Sequence, residues 1–175
     1  MNIRRRFITA IVTAAAMMTA HHVSAEFYSV PDIDSDFKSY MDYRCITNTE
    51  SAQYRLQQDA WTDHDGLRRY DDYYLVAMGT YYSSTVGDCF KVTLDTDATI
   101  YVMIGDIKDN RHTDETNRYH QMGNNRGNIL EFIVDSQSLD KYAKRMGTVS
   151  VIEGLEGNVE TIEKVASPFD EPTKE

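Results

Sequence analysis

From residue 53 to residue 165 the apolar positions come in short runs, most of them with a period of two, as in strands packed on one face. "QYRLQQDAWT" alternates, and "YYLVAMGTYY" is an apolar and aromatic run bounded by Asp71-Asp72 and by Gly79. Between them Asp65-Gly66 is a hairpin-turn pair. In "CFKVTL" the residues Phe90, Val92 and Leu94 share a face, and the turn Asp95-Thr96-Asp97 leads into "ATIYVMIG", so residues 89–105 read as a hairpin. "NILEFIVD" is a further strand, and "TVSVIEG" and "GNVETIEKV" read as the last two, about Gly154 and Gly157. One segment has the helical period instead. Leu139, Tyr142, Ala143 and Met146 recur at i, i+3, i+4 and i+7 behind Ser136 as cap, and Gly147 supplies a left-handed stop, which predicts a helix over 136–146.

The flanks read differently. Residues 26–50 carry Pro31, several Asp residues and the triplet Phe37, Tyr40, Met41 at helical spacing after Ser35, and read as a short helix or an adherent arm. Residues 166–175, "ASPFDEPTKE", read as a disordered tail. About seven short strands with one inserted helix predict a mainly β fold over residues 51–165: a small, closed or nearly closed β-barrel of six to eight strands, with a sandwich as the alternative.

At the N-terminus Arg4, Arg5 and Arg6 precede the apolar run Phe7 to Ala20 and the small-residue ending Val23-Ser24-Ala25, the pattern of a cleaved signal peptide over residues 1–25. Its apolar run is short of the ~20 residues that span a bilayer. The expected product is a secreted, extracellular or cell-wall-associated domain of about 150 residues with no stable membrane anchor after cleavage. Loss of the leader removes three of 18 basic residues and none of the 28 acidic ones, moving the net charge from −10 to −13. Such a field disfavours nucleic acid and anionic membrane as partners and leaves a glycan or a protein partner open. In an exported chain the two cysteines, Cys45 and Cys89, have a disulfide as their simplest use, worth about 4 kcal/mol in loop entropy.

The order of elements from Val76 to Val151 carries a resemblance. An apolar strand and Gly79 are followed by the Gly87 turn, a hairpin whose second strand ends in Asp106, a loop, the run "GNILEFIVDS" and a helix ending at Gly147. This order resembles the three-aspartate (3D) double-psi β-barrel domains of secreted, cell-wall-active proteins related to lytic transglycosylases, including Gram-positive and phage-encoded proteins that carry such a domain alone. Asp106 matches the second aspartate of that family and Glu131 stands at the third, while no carboxylate lies near Met78 and Gly79 where the first belongs. The loop from Ile107 to Arg126 is longer than its counterpart. The resemblance implies action on peptidoglycan glycan strands by a protonated carboxylic acid, with attack by the sugar's own C6 hydroxyl forming an anhydro product.

The residues themselves allow that chemistry. Asp106 and Glu131 are a candidate acid pair, since two close carboxylates push one pKa upward. Glu131 shares a strand face with Ile129 and Ile133, as a buried functional carboxylate or an edge residue does. His112 is a candidate proton shuttle beside Asp106. His112, Asp114 and His120, with Asp106 or Asp109, offer metal-ligand types but match no ligand spacing, so neither a metal nor another cofactor is expected. Lys108 and Asp114 lie in the long loop, a candidate recognition surface. Tyr81 and Tyr82, in a segment with five tyrosines, are candidate binding residues because aromatic faces pack on sugar rings; small barrels also bury such tyrosines. Two readings stay open: a glycan-cleaving enzyme, and a non-catalytic binding or interaction module on the same scaffold.

Overall fold

Strand β5 (Tyr73–Met78) owes its unbroken apolar sequence to pairing along both edges and cover on both faces. It runs parallel to β7 (Thr99–Ile107) on one edge and antiparallel to β4 (Arg68–Tyr70) and β10 (Glu131–Val134) on the other. The computed structural model describes residues 25–170, and the expected leader therefore lies outside the described residues apart from Ala25. Around β5 the remaining strands are β1 (Glu26–Tyr28), β2 (Tyr40–Asp42), β3 (Trp61–Thr62), β6 (Cys89–Leu94) and β11 (Val159–Val165). They form a nine-stranded sheet in the order β1-β11-β6-β7-β5-β10-β2, with β4 on β5 and β3 on β4. A separate hairpin joins β8 (His120–Gly123) to β9 (Arg126–Asn128).

The fold is mainly β, as expected, but the sheet is not a closed barrel. Among the described residues its end strands β1 and β2 pair only with β11 and β10. The chain between them carries Pro31, and its backbone is held largely by side chains instead of a continuous ladder: Ser35 N–H donates to Asn158 Oδ1 and Lys38 N–H to Ser150 Oγ.

One face of the sheet carries Val76, Phe90, Val92, Ile104, Phe132 and Ile162, which form the main core with Leu139 and Ala143. The other face carries Leu75, Cys89, Met103 and Ile133, covered by Leu56 of the helix α1 (Ala52–Asp59). This helix replaces the strand expected at "QYRLQQDAWT". Ser51 caps it by accepting Tyr54 N–H, and its Gln, Arg and Leu residues favour helix where no β-branched residue competes.

Other boundaries shift for identifiable reasons. The second helix, α2 (Lys141–Met146), starts later than expected because Asp140, not Ser136, caps it, its carboxylate accepting Tyr142 and Ala143 N–H. Gly147 closes it in the left-handed conformation at φ 71°, as expected. Leu139 and Ala143 reach the core, whereas Tyr142 and Met146 are exposed. Of Phe37, Tyr40 and Met41, read at helical spacing, the last two lie in β2 and Phe37 is in no helix. Val149–Val151, read as strand, is a 3-10 turn whose cap Thr148 accepts Ser150 N–H and donates to Lys38 O. The first part of the expected disordered tail is ordered: buried Ser167 donates to Gly87 O, and the Phe169 ring lies 5.1 Å from that of Tyr70. Residues 171–175 lie outside the described residues.

The expected disulfide is absent. Cys45 is exposed in the 3-10 turn Tyr43–Cys45, while Cys89 is buried at the start of β6 with Sγ 3.4 Å from Gly87 O. Burial pushes the Cys89 thiol up to about 12, which leaves it protonated and poorly nucleophilic.

Candidate functional site

A single extra residue in β7 decides which face Asp106 occupies. Val76 pairs with Ile104, but Ala77 pairs with Asp106, so Gly105 bulges out of the ladder. In an unbroken alternation Asp106 would follow Val102 and Ile104 into the main core. The bulge resets the alternation, and Asp106 instead joins Leu75, Ala77 and Met103 on the opposite face. Glu131 pairs with Ala77 from the other side, across β10. The two carboxylates therefore flank Ala77 in one row on one face, two strand spacings or about 10 Å apart at the backbone.

Gly105 is closely packed. A Cβ there would lie 2.7 Å from Ile133 Cδ1 and 3.2 Å from Leu75 Cβ. Gly105→Ala is therefore expected to destabilise the fold by about 1–3 kcal/mol through overpacking. A urea titration measures it, and an unshifted midpoint would show that the two strands have room to separate.

Asp106 and Glu131 line one cleft of about 510 Å³ with Lys108, His112, His120 and Ser39. Lys108 follows Asp106 by two residues and shares its face; its side chain is 7% exposed and its Nζ lies 3.0 Å from Glu131 Oε2. Ser39 Oγ, just before β2, lies 3.1 Å from Glu131 Oε1, and the buried Asn128 amide sits 2.5 Å from that hydroxyl. Glu131 is thus held as an ion-paired carboxylate. Among the described residues Asp106 has no cationic partner at contact distance, only Gln53 Nε2 at 3.5 Å from Oδ1. Burial pushes the Asp106 carboxyl above its ordinary range; the Ile107 N–H and the Gln53 amide oppose the rise, and the Glu131 charge adds to it.

The remaining candidates divide. Lys108, expected on the recognition surface of the long loop, lines the cleft with its amine engaged by Glu131. His112 and His120 stand exposed on the rim, His120 Nδ1 lying 2.7 Å from His112 O. His112 makes no hydrogen bond to Asp106 or Glu131 among the described residues. Asp114 is not in the cleft. It is buried, and although burial works against its charge, the Thr116 hydroxyl and the N–H groups of Arg118, Tyr119 and Thr116 hold its carboxyl below the usual range.

Asp114 thus staples the loop and is not free to bind a ligand. Because its pKa is lowered by folding, the stability it contributes is present above the unfolded value and lost as pH falls through the folded one. Asp114→Ala is expected to cost about 1–3 kcal/mol by leaving part-buried donors unpaired. Faster hydrogen exchange at Arg118 and Tyr119 would report it, and unchanged protection would show that the loop is held by other contacts.

Tyr81 and Tyr82 also lie away from the cleft. They pack edge to face at 5.2 Å and cluster with Tyr28, which packs on Phe90, with Tyr82 buried. Tyr82 is spent on packing at the β1 end of the sheet, while Tyr81 packs on it by one edge and stays exposed there, away from the cleft. Among the described residues no three His, Cys, Asp or Glu side chains gather into a metal-binding group. No helix among them is long and apolar enough to cross a membrane. The sequence did not point to Ser39, Phe37 or Gln53, which come from the arm and from α1; a small polar residue beside a strand has no periodic signal.

Comparison with protein-family models, with curated proteins and with solved structures gives no match for this chain.

Proposed function

We propose that the cleft is a carboxylic-acid site that cleaves glycosidic bonds in exported glycan strands such as peptidoglycan, with Asp106 as the general acid. The observation that carries this reading is two carboxylates with opposed environments in one cleft: Asp106 half-buried with its pKa raised, Glu131 ion-paired to Lys108. A half-buried carboxyl with its pKa raised, beside a second carboxylate engaged by an ammonium group, is the arrangement that separates acid and electrostatic roles. Asp106 gives its proton to the glycosidic oxygen; positive charge developing at the anomeric carbon is offset by Glu131; the sugar's own C6 hydroxyl attacks and closes an anhydro ring. His112 and His120 on the rim can receive the proton that the hydroxyl releases.

Kinship with three-aspartate double-psi domains belongs to the same proposal. The parallel pair β5 and β7, with β6 between them in the chain, and α2 following β10 support it. Export rests on the leader pattern of residues 1–25.

A second reading, a binding cleft without chemistry, is favoured by Ala77, which puts a methyl group between the two carboxylates where a third acid would complete a triad. Incubation of the protein with purified peptidoglycan, followed by mass analysis of the soluble products, separates the readings. Anhydro-muropeptides are the expected result. Intact strands that nonetheless retain the protein would establish the binding reading, and no retention would defeat both.

A further inference from the structure

We propose that the ligand chain passes over Asp106 and continues into a second cleft beyond it, so that cleavage falls inside a strand and not at its end. This rests on the glycan reading of the first cleft. Asp106 lines both cavities: the 510 Å³ cleft that holds Glu131, and one of about 300 Å³ formed by Met41, Cys45, Ile46, Asn48 and Gln53 among others. Both fall in the range of small-molecule sites, about 300–1,000 Å³. Gln53 lines the second cavity, and its amide lies 3.5 Å from Oδ1 of Asp106, the residue that the two linings share. An acid at the junction of two clefts has ligand on both sides of the bond that it protonates.

The two linings differ in chemistry. The first cleft presents Asp106, Lys108, Asp109, Glu131 and two imidazoles. Among the described residues the one charged group in the second is Asp106, and the rest are hydroxyls, amides, a thiol and apolar side chains. Such a surface suits an uncharged sugar with hydroxyl and acetamido substituents, which needs hydrogen-bond partners and apolar contact but no counter-ion. The walls come from the segment between β2 and α1, outside the stretch that resembles the three-aspartate domains. The second cleft is thus a feature of this chain's own arm and helix.

Cys45 is a built-in reporter, being exposed and part of the second lining, whereas Cys89 is buried. The experiment follows the rate at which N-ethylmaleimide labels Cys45 in the Asp106→Asn protein, with calorimetry as an independent measure of binding. The ligands are purified peptidoglycan glycan strands of about eight sugars and the disaccharide unit, each at about ten times its Kd, where an occluded thiol is labelled about tenfold more slowly. The expected result is that slowing with the long strand and little change with the disaccharide. A long strand that binds without slowing the label overturns the second cleft and leaves the glycan reading standing. Equal protection by the disaccharide overturns the spanning geometry. Binding by neither ligand overturns this inference and the glycan reading together.

Discussion

Asp106→Asn is expected to lower glycan cleavage by roughly 10²–10⁴-fold, the usual contribution of a general acid, and at neutral pH to make the fold more resistant to urea. The two effects have one cause. The Asp106 carboxyl is half-buried and its pKa is raised in the folded protein by that burial, with the Glu131 charge adding to the rise. A carboxyl raised by folding stabilises the native state fully below its unfolded pKa, and that contribution is lost as pH rises through the folded value, where the native state must hold a buried charge. Asparagine keeps the shape and cannot ionise. The substitution should therefore remove the decline in stability above the ordinary Asp value of about 3.8 while removing the acid that reacts. The native protein should lose activity over the same rising pH range. A variant that is both inactive and less stable at neutral pH would show instead that Asp106 serves the fold.

The ion pair beneath the cleft gives the second large effect, and it is asymmetric. Lys108 has a side chain 7% exposed, against 27% for Glu131. Glu131→Leu leaves the Lys108 ammonium buried without a partner and is expected to cost about 3–5 kcal/mol. Lys108→Met leaves a carboxylate that still meets solvent and the Ser39 hydroxyl, at a cost of about 1–2 kcal/mol. The double substitution should recover most of the larger loss, because no charge is then stranded. Chemical denaturation of the three variants measures all of this. Equal losses from the two single substitutions would mean that water reaches Lys108 as freely as Glu131.

Much of the sheet was legible because its strands differ in pattern from what joins them. The run from Tyr73 to Met78, the hairpin of β6 and β7 and the Asp65-Gly66 turn all form where the periodicity puts them. The segment from Gln53 to Asp59 is helical although Tyr54 and Leu56 satisfy an alternation, because eight residues of helix tolerate the same pattern. Ser136 and Asp140 compete as caps for the second helix, and spacing does not say which carboxylate or hydroxyl will reach the N–H groups. Asp106, Glu131 and Lys108 were legible as candidates and do share a cleft. Their meeting on one face rests on the Gly105 bulge, a one-residue offset that no alternation reveals, and on two pairings to Ala77 made by strands distant in the chain. Tyr81, Tyr82 and Asp114 carried chemistry in the sequence that the fold spends on packing and on a loop.

The shared acid site is tested most directly by titrating the Asp106 carboxyl carbon by NMR in the native protein and in Glu131→Gln. The expected native midpoint lies above the ordinary Asp value, and it should fall in Glu131→Gln, because the neighbouring negative charge is gone and Lys108 is left as an unopposed cation. A midpoint at or below the ordinary value, or one indifferent to Glu131→Gln, would mean that the two carboxylates do not act as one site.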